Sequence, residues 1–198
     1  MSKKNIGAVT AISPIPAFIA TVADKEGNSN LITISYGGIV NAIPPMVYMS
    51  VRDTRHSYHM LKETGEFVIN IPGENLTKET DLCGILSRNK VDKWAVTKFT
   101  KIPASIVKVP MIKECPVNIE CVTKHIIALG SHDLFIAEVV ATHADEEVLN
   151  DKDKVMIDRF KPFAFCYNVQ EYWTLNNLIG HYGWTAKEAK EATEAQGK

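Results

Sequence analysis

The sequence predicts a mainly β fold, a closed or nearly closed antiparallel barrel that carries a few short helices. Two observations point there. The chain holds five to seven extended segments joined as strand–turn–strand, not the alternation of strand and helix that a doubly wound α/β sheet requires. It also has no G-x-G-x-x-G after the first strand and no G-x-x-x-x-G-K-[ST], so a Rossmann or P-loop site has no sequence to rest on. A length of 198 residues suits one sizeable core. We expect a single domain over residues 1–184 and a charged tail over 185–198.

The first extended segment is Ala17–Val22. A polar turn, Asp24-Lys25-Glu26-Gly27-Asn28, returns the chain into Leu31–Ser35, giving a hairpin. Pro44-Pro45 lacks the donors and the free φ that a ladder or helix interior needs, and a third strand, Met46–Val51, resumes beyond it. Asp53 or Thr54 is placed to cap a short helix through His56, Tyr58, Leu61 and Lys62, and Gly65 stops it because glycine enters the left-handed region freely. Phe67–Ile71 returns as a strand ending at Pro72.

From Asn75 to Val96, Leu76, Leu82, Ile85, Leu86 and Trp94 stand among polar neighbours, the pattern of one or two helical segments broken near Gly84 or Asn89. Beyond Pro103, Pro116–Cys121 alternates faces and Asp133–Ala141 makes a long partner for it, together a wide hairpin. A short strand, Ala164–Tyr167, precedes the aromatic segment from Tyr172-Trp173 to Trp184. Lys187–Lys198 is rich in Ala, Glu and Lys without an apolar stripe, which reads as a frayed, solvated helix.

Hydrophobic residues at 45%, charged residues at 23% and a net charge of −1 are globular values. They give no global pull toward nucleic acid or an acidic membrane, so any phosphate site is local. No apolar run reaches the length of a membrane span. The four cysteines, Cys83, Cys115, Cys121 and Cys166, are widely spaced behind a start without a secretory pattern, and we expect reduced thiols in a cytoplasmic protein. His56 and His59 share a helix face but have no carboxylate or cysteine at matching spacing, so we expect surface side chains and no metal.

Side-chain catalytic constellations are absent: there is no G-x-S-x-G elbow, no H-E-x-x-H and no paired-cysteine redox motif. If the protein is an enzyme, a cofactor does the chemistry. Ser50-Val51-Arg52-Asp53-Thr54-Arg55-His56-Ser57 stands out, because two arginines and three hydroxyls leave a strand end and enter a helix. Guanidinium forks, hydroxyls and free helix-start amides are what a phosphate monoester requires. On local sequence alone, a solvated turn whose arginines pair with nearby carboxylates has equal weight. A second hydroxyl-plus-cation cluster runs from Ser87 and Arg88 to Lys93-Trp94.

The order of these segments resembles that of flavin reductase-like proteins, flavoredoxins included, from Pro14 to Trp184. The matching pieces are Asn30–Ser35 before Pro44-Pro45, Ser50-Val51-Arg52 with Thr54-Arg55, Gly65–Asn70, and Ser87 with Val91–Trp94. Gly130-Ser131-His132, and Tyr172-Trp173 with Ile179-Gly180 and Gly183, complete the set. The chain departs from the family at Arg88-Asn89, where many members have a glycine and an arginine, and at Ser131, where they have an aspartate.

The resemblance implies an FMN-binding split β-barrel, a Greek-key antiparallel barrel, with FMN held at the interface of a homodimer. Thr33, Ile34, Ser35 and Tyr36 would line the isoalloxazine ring, Arg52, Arg55, Ser87 and Lys93 would surround the phosphate, and Ser50 and Val51 would also bind the cofactor. NAD(P)H or a donor protein would supply electrons to flavin N5, with His132 contacting the reductant and no side chain acting as acid or base. Tyr172, Trp173 and Trp184 either shield the flavin or pack a barrel seam. The function expected is an FMN-dependent oxidoreductase, either an NAD(P)H:flavin reductase or a flavoredoxin-like carrier. The competing class is a non-catalytic flavin- or haem-binding barrel acting as store or sensor. Pyridoxamine-phosphate oxidase-like chemistry on a similar barrel ranks below both.

Overall fold

The computed structural model describes residues 2–88, 90–187 and 190. Twelve strands and four α-helices follow one another along these residues. They begin with β1 (Ile15–Pro16), β2 (Phe18–Ala23), β3 (Ser29–Ile34), β4 (Gly37–Asn41), β5 (Met46–Val51), α1 (His56–Thr64) and β6 (Glu66–Ile71). Next come α2 (Thr77–Ile85), α3 (Lys93–Thr97), β7 (Lys101–Ile102), β8 (Met111–Ile112), β9 (Val117–Ala128) and β10 (Asp133–Ala144). The last are α4 (Ile157–Phe160), β11 (Phe163–Cys166) and β12 (Glu171–Thr174).

Seven strands form one antiparallel sheet in the order β3-β2-β6-β9-β10-β5-β4. Burial patterns show how it curls. In β5 every second residue is buried, so Val47, Met49 and Val51 point inward, and in β2 all six residues are buried because both faces are covered. The interior holds Phe18 and Val22 of β2, Ile32 and Ile34 of β3, Phe67 of β6 and Phe135 of β10, with Tyr58, Met60 and Leu61 of α1 packed among them. The outer face of β2 and β3 carries a second cluster, in which Ile19 and Leu31 meet Cys83 of α2 and Trp94 of α3.

The barrel is split where β3, at one end of the strand order, stands across from β5. Ser35 and Tyr36 carry the chain over this seam into β4, and the Ser50 N–H donates to the Tyr36 carbonyl at 2.8 Å. A buried amide network braces the opposite side. Asn70 donates to the Ile19 carbonyl and the Thr21 hydroxyl, and its Oδ1 accepts from the Ile112 N–H and the Asn118 amide.

The expected strands form, with several differences. β4 and β12 were not anticipated, and β9 and β10 extend to Ala128 and Ala144, beyond Cys121 and Ala141. Gly65 ends α1 at φ 71°, as expected, but neither Asp53 nor Thr54 caps its start. Arg55 holds the cap position in extended backbone and no side chain bonds the leading amides, because the chain enters the helix one residue later. The two helical segments expected after Asn75 form, α2 ending at Ile85 just past Gly84, and Asp92 caps α3 by accepting from the Trp94 N–H at 3.1 Å. Asn89 lies outside the described residues, as does most of the expected tail helix. All four cysteines are free, and burial pushes the Cys83 thiol up to about 12. Among the described residues no helix is long and apolar enough to cross a membrane.

A cationic cleft at the barrel split

Two adjoining chambers of about 180 and 280 Å³ open at the seam and share Ile32, Arg52 and Arg55. The first is bounded by β3, by the β5–α1 connection with the first turn of α1, and by the α2–α3 connection. Arg52, Arg55, Arg88 and Lys93 line it together with the hydroxyls of Thr54, Ser57 and Ser87, and no Asp or Glu is among its lining residues. The first turn of α1 holds no acidic residue either, so the positive end of its macrodipole adds to the same field.

Lys93 is buried beneath this chamber. Its ammonium donates to the Leu31 carbonyl at 2.8 Å and to the Cys83 carbonyl at 2.7 Å, which leaves one N–H of three. Burial pushes it down to about 8, with nearby Cys83 opposing the shift and Arg55 adding to it. Asn30, also buried, donates to the Ser57 hydroxyl at 2.8 Å, and its Oδ1 has no partner among the described residues.

The second chamber is lined by Thr33, Ile34, Ser35 and Tyr36 from the β3–β4 crossing and by Ser50, Val51 and Arg52 from the end of β5. Tyr36 packs against His132 on one side and Tyr167 on the other, with ring centroids 5.4 and 5.3 Å apart. His132 Nε2 lies 3.3 Å from Arg52 Nε, and its Nδ1 lies 2.9 Å from the Ser131 hydroxyl. Burial, then the charges of Arg52 and Arg55, lower the pKa of His132.

The eleven residues expected around the cofactor and its reductant therefore border one continuous cleft. Ser87 and Lys93 lie in the cationic chamber, Arg52 and Arg55 in both, and Thr33, Ile34, Ser35, Tyr36, Ser50, Val51 and His132 in the aromatic one. Asn30 and Tyr167 were missed as lining residues, and Ser57, one of the three hydroxyls of the Ser50–Ser57 segment, lines the cationic chamber without having been given a role of its own. Asn30 and Ser57 stood inside the quoted motifs, but a motif does not tell which strand or helix face turns inward. Arg88 joins the cationic chamber from a position where the sequence departs from the family. The C-terminal aromatics line neither chamber. Tyr172 donates to Asp81 at 3.1 Å and packs on Phe163 and Phe165, while Trp173 and Trp184 are 58% and 71% exposed.

The architecture is similar to that of solved proteins. The flavoredoxin of Desulfovibrio vulgaris (Miyazaki F) superposes with a TM-score of 0.88 at 29% identity, covering 93% of this chain and 100% of that one. The flavoredoxin from Methanosarcina acetivorans gives the same TM-score and identity over 96% of this chain and 100% of its own. An uncharacterized protein of Archaeoglobus fulgidus is 32% identical over 117 residues, 59% of this chain and just under two thirds, 66%, of that relative. The model of the flavin reductase like domain matches residues 11–166, which hold the seven-stranded sheet and every lining residue of the two chambers except Tyr167. The chain belongs to the flavin reductase-like family.

Proposed function

We propose that the cleft holds FMN without a covalent bond and that the protein is an oxidoreductase passing reducing equivalents through it. One observation carries this reading: a carboxylate-free chamber of three arginines and a lysine is continuous with a chamber walled by strand-end backbone and aromatic rings. A phosphate monoester brings a charge of about −1.5 to −2 near neutral pH and acceptor oxygens for guanidinium and hydroxyl donors. The donor set of the first chamber fits that group, and the strand-end backbone and apolar and aromatic side chains of the second suit a tricyclic ring.

When bound, the flavin supplies the redox chemistry. The chain's own part is to bind, orient and shield. Arg52, Arg55, Arg88 and Lys93 neutralise the phosphate, Ser87 and Ser57 offer hydroxyls to it, and Thr33–Tyr36 with Ser50 and Val51 set the ring against the barrel. The similarity to two flavoredoxins supports a flavin-centred role. Free buried thiols suit a reducing cytoplasmic setting. We also propose a homodimer, since Ile39 and Ile43, at 84% and 91% exposed on and just beyond β4, are apolar surface for a second copy to cover.

The test is the absorbance spectrum of the purified protein, with FMN added if needed, followed by anaerobic NADH or NADPH. Stoichiometric flavin that bleaches promptly supports a reductase, and flavin that bleaches only with a reduced donor protein supports a carrier. Flavin that neither donor reduces points to a store or sensor, and no flavin uptake refutes the proposal.

A further inference from the structure

We propose that His132 acts on the cleft through Arg52, as a positioning residue for the guanidinium, and that Ser131 supports the imidazole form this requires. The proposal rests on the reading that the cleft holds the FMN phosphate.

The geometry assigns the protons. A guanidinium in a protein is always a donor, so Arg52 Nε, 3.3 Å from His132 Nε2, needs a lone pair on that nitrogen. The proton of the neutral ring then sits on Nδ1, where the Ser131 hydroxyl oxygen accepts it at 2.9 Å. A hydroxyl partner, unlike a carboxylate, does not favour the imidazolium. Both ring nitrogens are thus engaged within the protein, and a reductant could hydrogen-bond the ring only by displacing one partner.

The rest of the surroundings fixes the imidazole in place. Its ring meets Tyr36 at a tilt of 46°, and Tyr36 packs in turn on Tyr167. Protonation would set a donor against the Arg52 donor and add charge beside Arg52 and Arg55. The depressed pKa of His132 agrees with a ring kept neutral.

Arg52 gains direction from this. Tethered through Nε, the inner nitrogen of the fork, it keeps both terminal amino groups for the cleft, and it stands where the two chambers meet. A fork presented edge-on in this way makes a two-pronged contact with a phosphate, whereas an untethered arginine must first be ordered.

The experiment is a fluorescence titration with FMN and with riboflavin, which lacks the phosphate, on the full-length protein and surface variants. His132→Ala should weaken FMN about tenfold and leave riboflavin within about twofold, the scale of one charged hydrogen bond. His132→Gln should restore most of the loss, because its amide oxygen can accept from Nε. Arg52→Lys keeps the charge but lacks Nε, and it should match His132→Ala. The double variant should be no worse than either single one, since both remove one interaction. Nitrogen-15 NMR should show the Nδ1–H tautomer of His132 in the wild type and its loss in Arg52→Lys. Losses that multiply in the double variant, equal weakening of FMN and riboflavin, or an Nε2–H tautomer in the wild type would each overturn the proposal. A wild type that takes up no flavin overturns the FMN reading along with it, and the NMR result then reports separately on the Arg52–His132 contact.

Discussion

The Lys93 ammonium donates to the Leu31 carbonyl at 2.8 Å and ties the first turn of α3 to the strand beneath the cleft. Burial holds this lysine at about 8, so charge and structure compete at one atom. A bound anion favours the charged form. FMN affinity should therefore be greatest below pH 8 and fall as the pH rises through it, because binding must then restore a proton that the empty protein has lost. Titrations across that range should show the decline in the wild type and a flat profile in Lys93→Met. The unliganded fold responds with the opposite slope. An unfolded lysine titrates near 10.5, so between 8 and 10.5 the unfolded chain binds more protons and the empty protein gains stability as the pH rises.

Arg55 borders both chambers and meets no carboxylate in either. Arg55→Ala should weaken FMN by about 1.5–3 kcal/mol, roughly ten- to a hundredfold, with riboflavin affected far less. Equal losses for the two flavins would remove Arg55 from the phosphate contacts.

Glu120 is fully buried and holds the loop between β7 and β8. Its carboxylate accepts from the Ser105, Ile106 and Val107 N–H groups, from the Ser105 hydroxyl and from His143 at 2.6 Å. Burial alone would raise its pKa, but these donors hold it down to about 2. Glu120→Gln should cost about 3 kcal/mol near neutral pH, because donors aimed at a charge lose it inside the protein. A folded value depressed below the ordinary glutamate value of 4.5 means that this stabilisation is present above 4.5 and lost as the pH falls toward 2. The gap between wild type and variant in urea melts should close over that interval.

Gly37 opens β4 where the Phe18 ring presses on the backbone. A Cβ there would lie 2.4 Å from Phe18 Cζ and 3.1 Å from the Tyr48 carbonyl oxygen. Gly37→Ala should destabilise the fold by about 1–3 kcal/mol through overpacking, read as a lower denaturation midpoint. Since Gly37 follows Tyr36, the Tyr36–His132 contact should loosen as well.

β2, β3, β5 and β6 were legible because each combines buried β-branched residues with a turn or proline at its end. β4 was not, since Gly37-Gly38 has weak strand preference and becomes a strand only by pairing with β5. β12 was read as an aromatic segment, because its strand character comes from β11. The outer half of β9, Thr123–Ala128, is exposed or half-exposed and paired only to β10, so it offered no apolar alternation. At the site, cations and hydroxyls announced themselves by type. Asn30 did not, because its place against Ser57 depends on a contact across 27 positions. Asn70, quoted among the family-like pieces, proved to be a structural hub instead.

The four cations around the cleft also bear on how long the protein lasts. Unbalanced, they repel one another inside a partly desolvated space and tax the fold that gathers them. An anion that binds only the folded chain removes that repulsion, and at a hundredfold excess over its Kd it adds about 2.7 kcal/mol. Limited proteolysis with and without FMN should show the unliganded chain cut faster. On the proposed function, ligand supply would thereby shift the folded fraction of the protein.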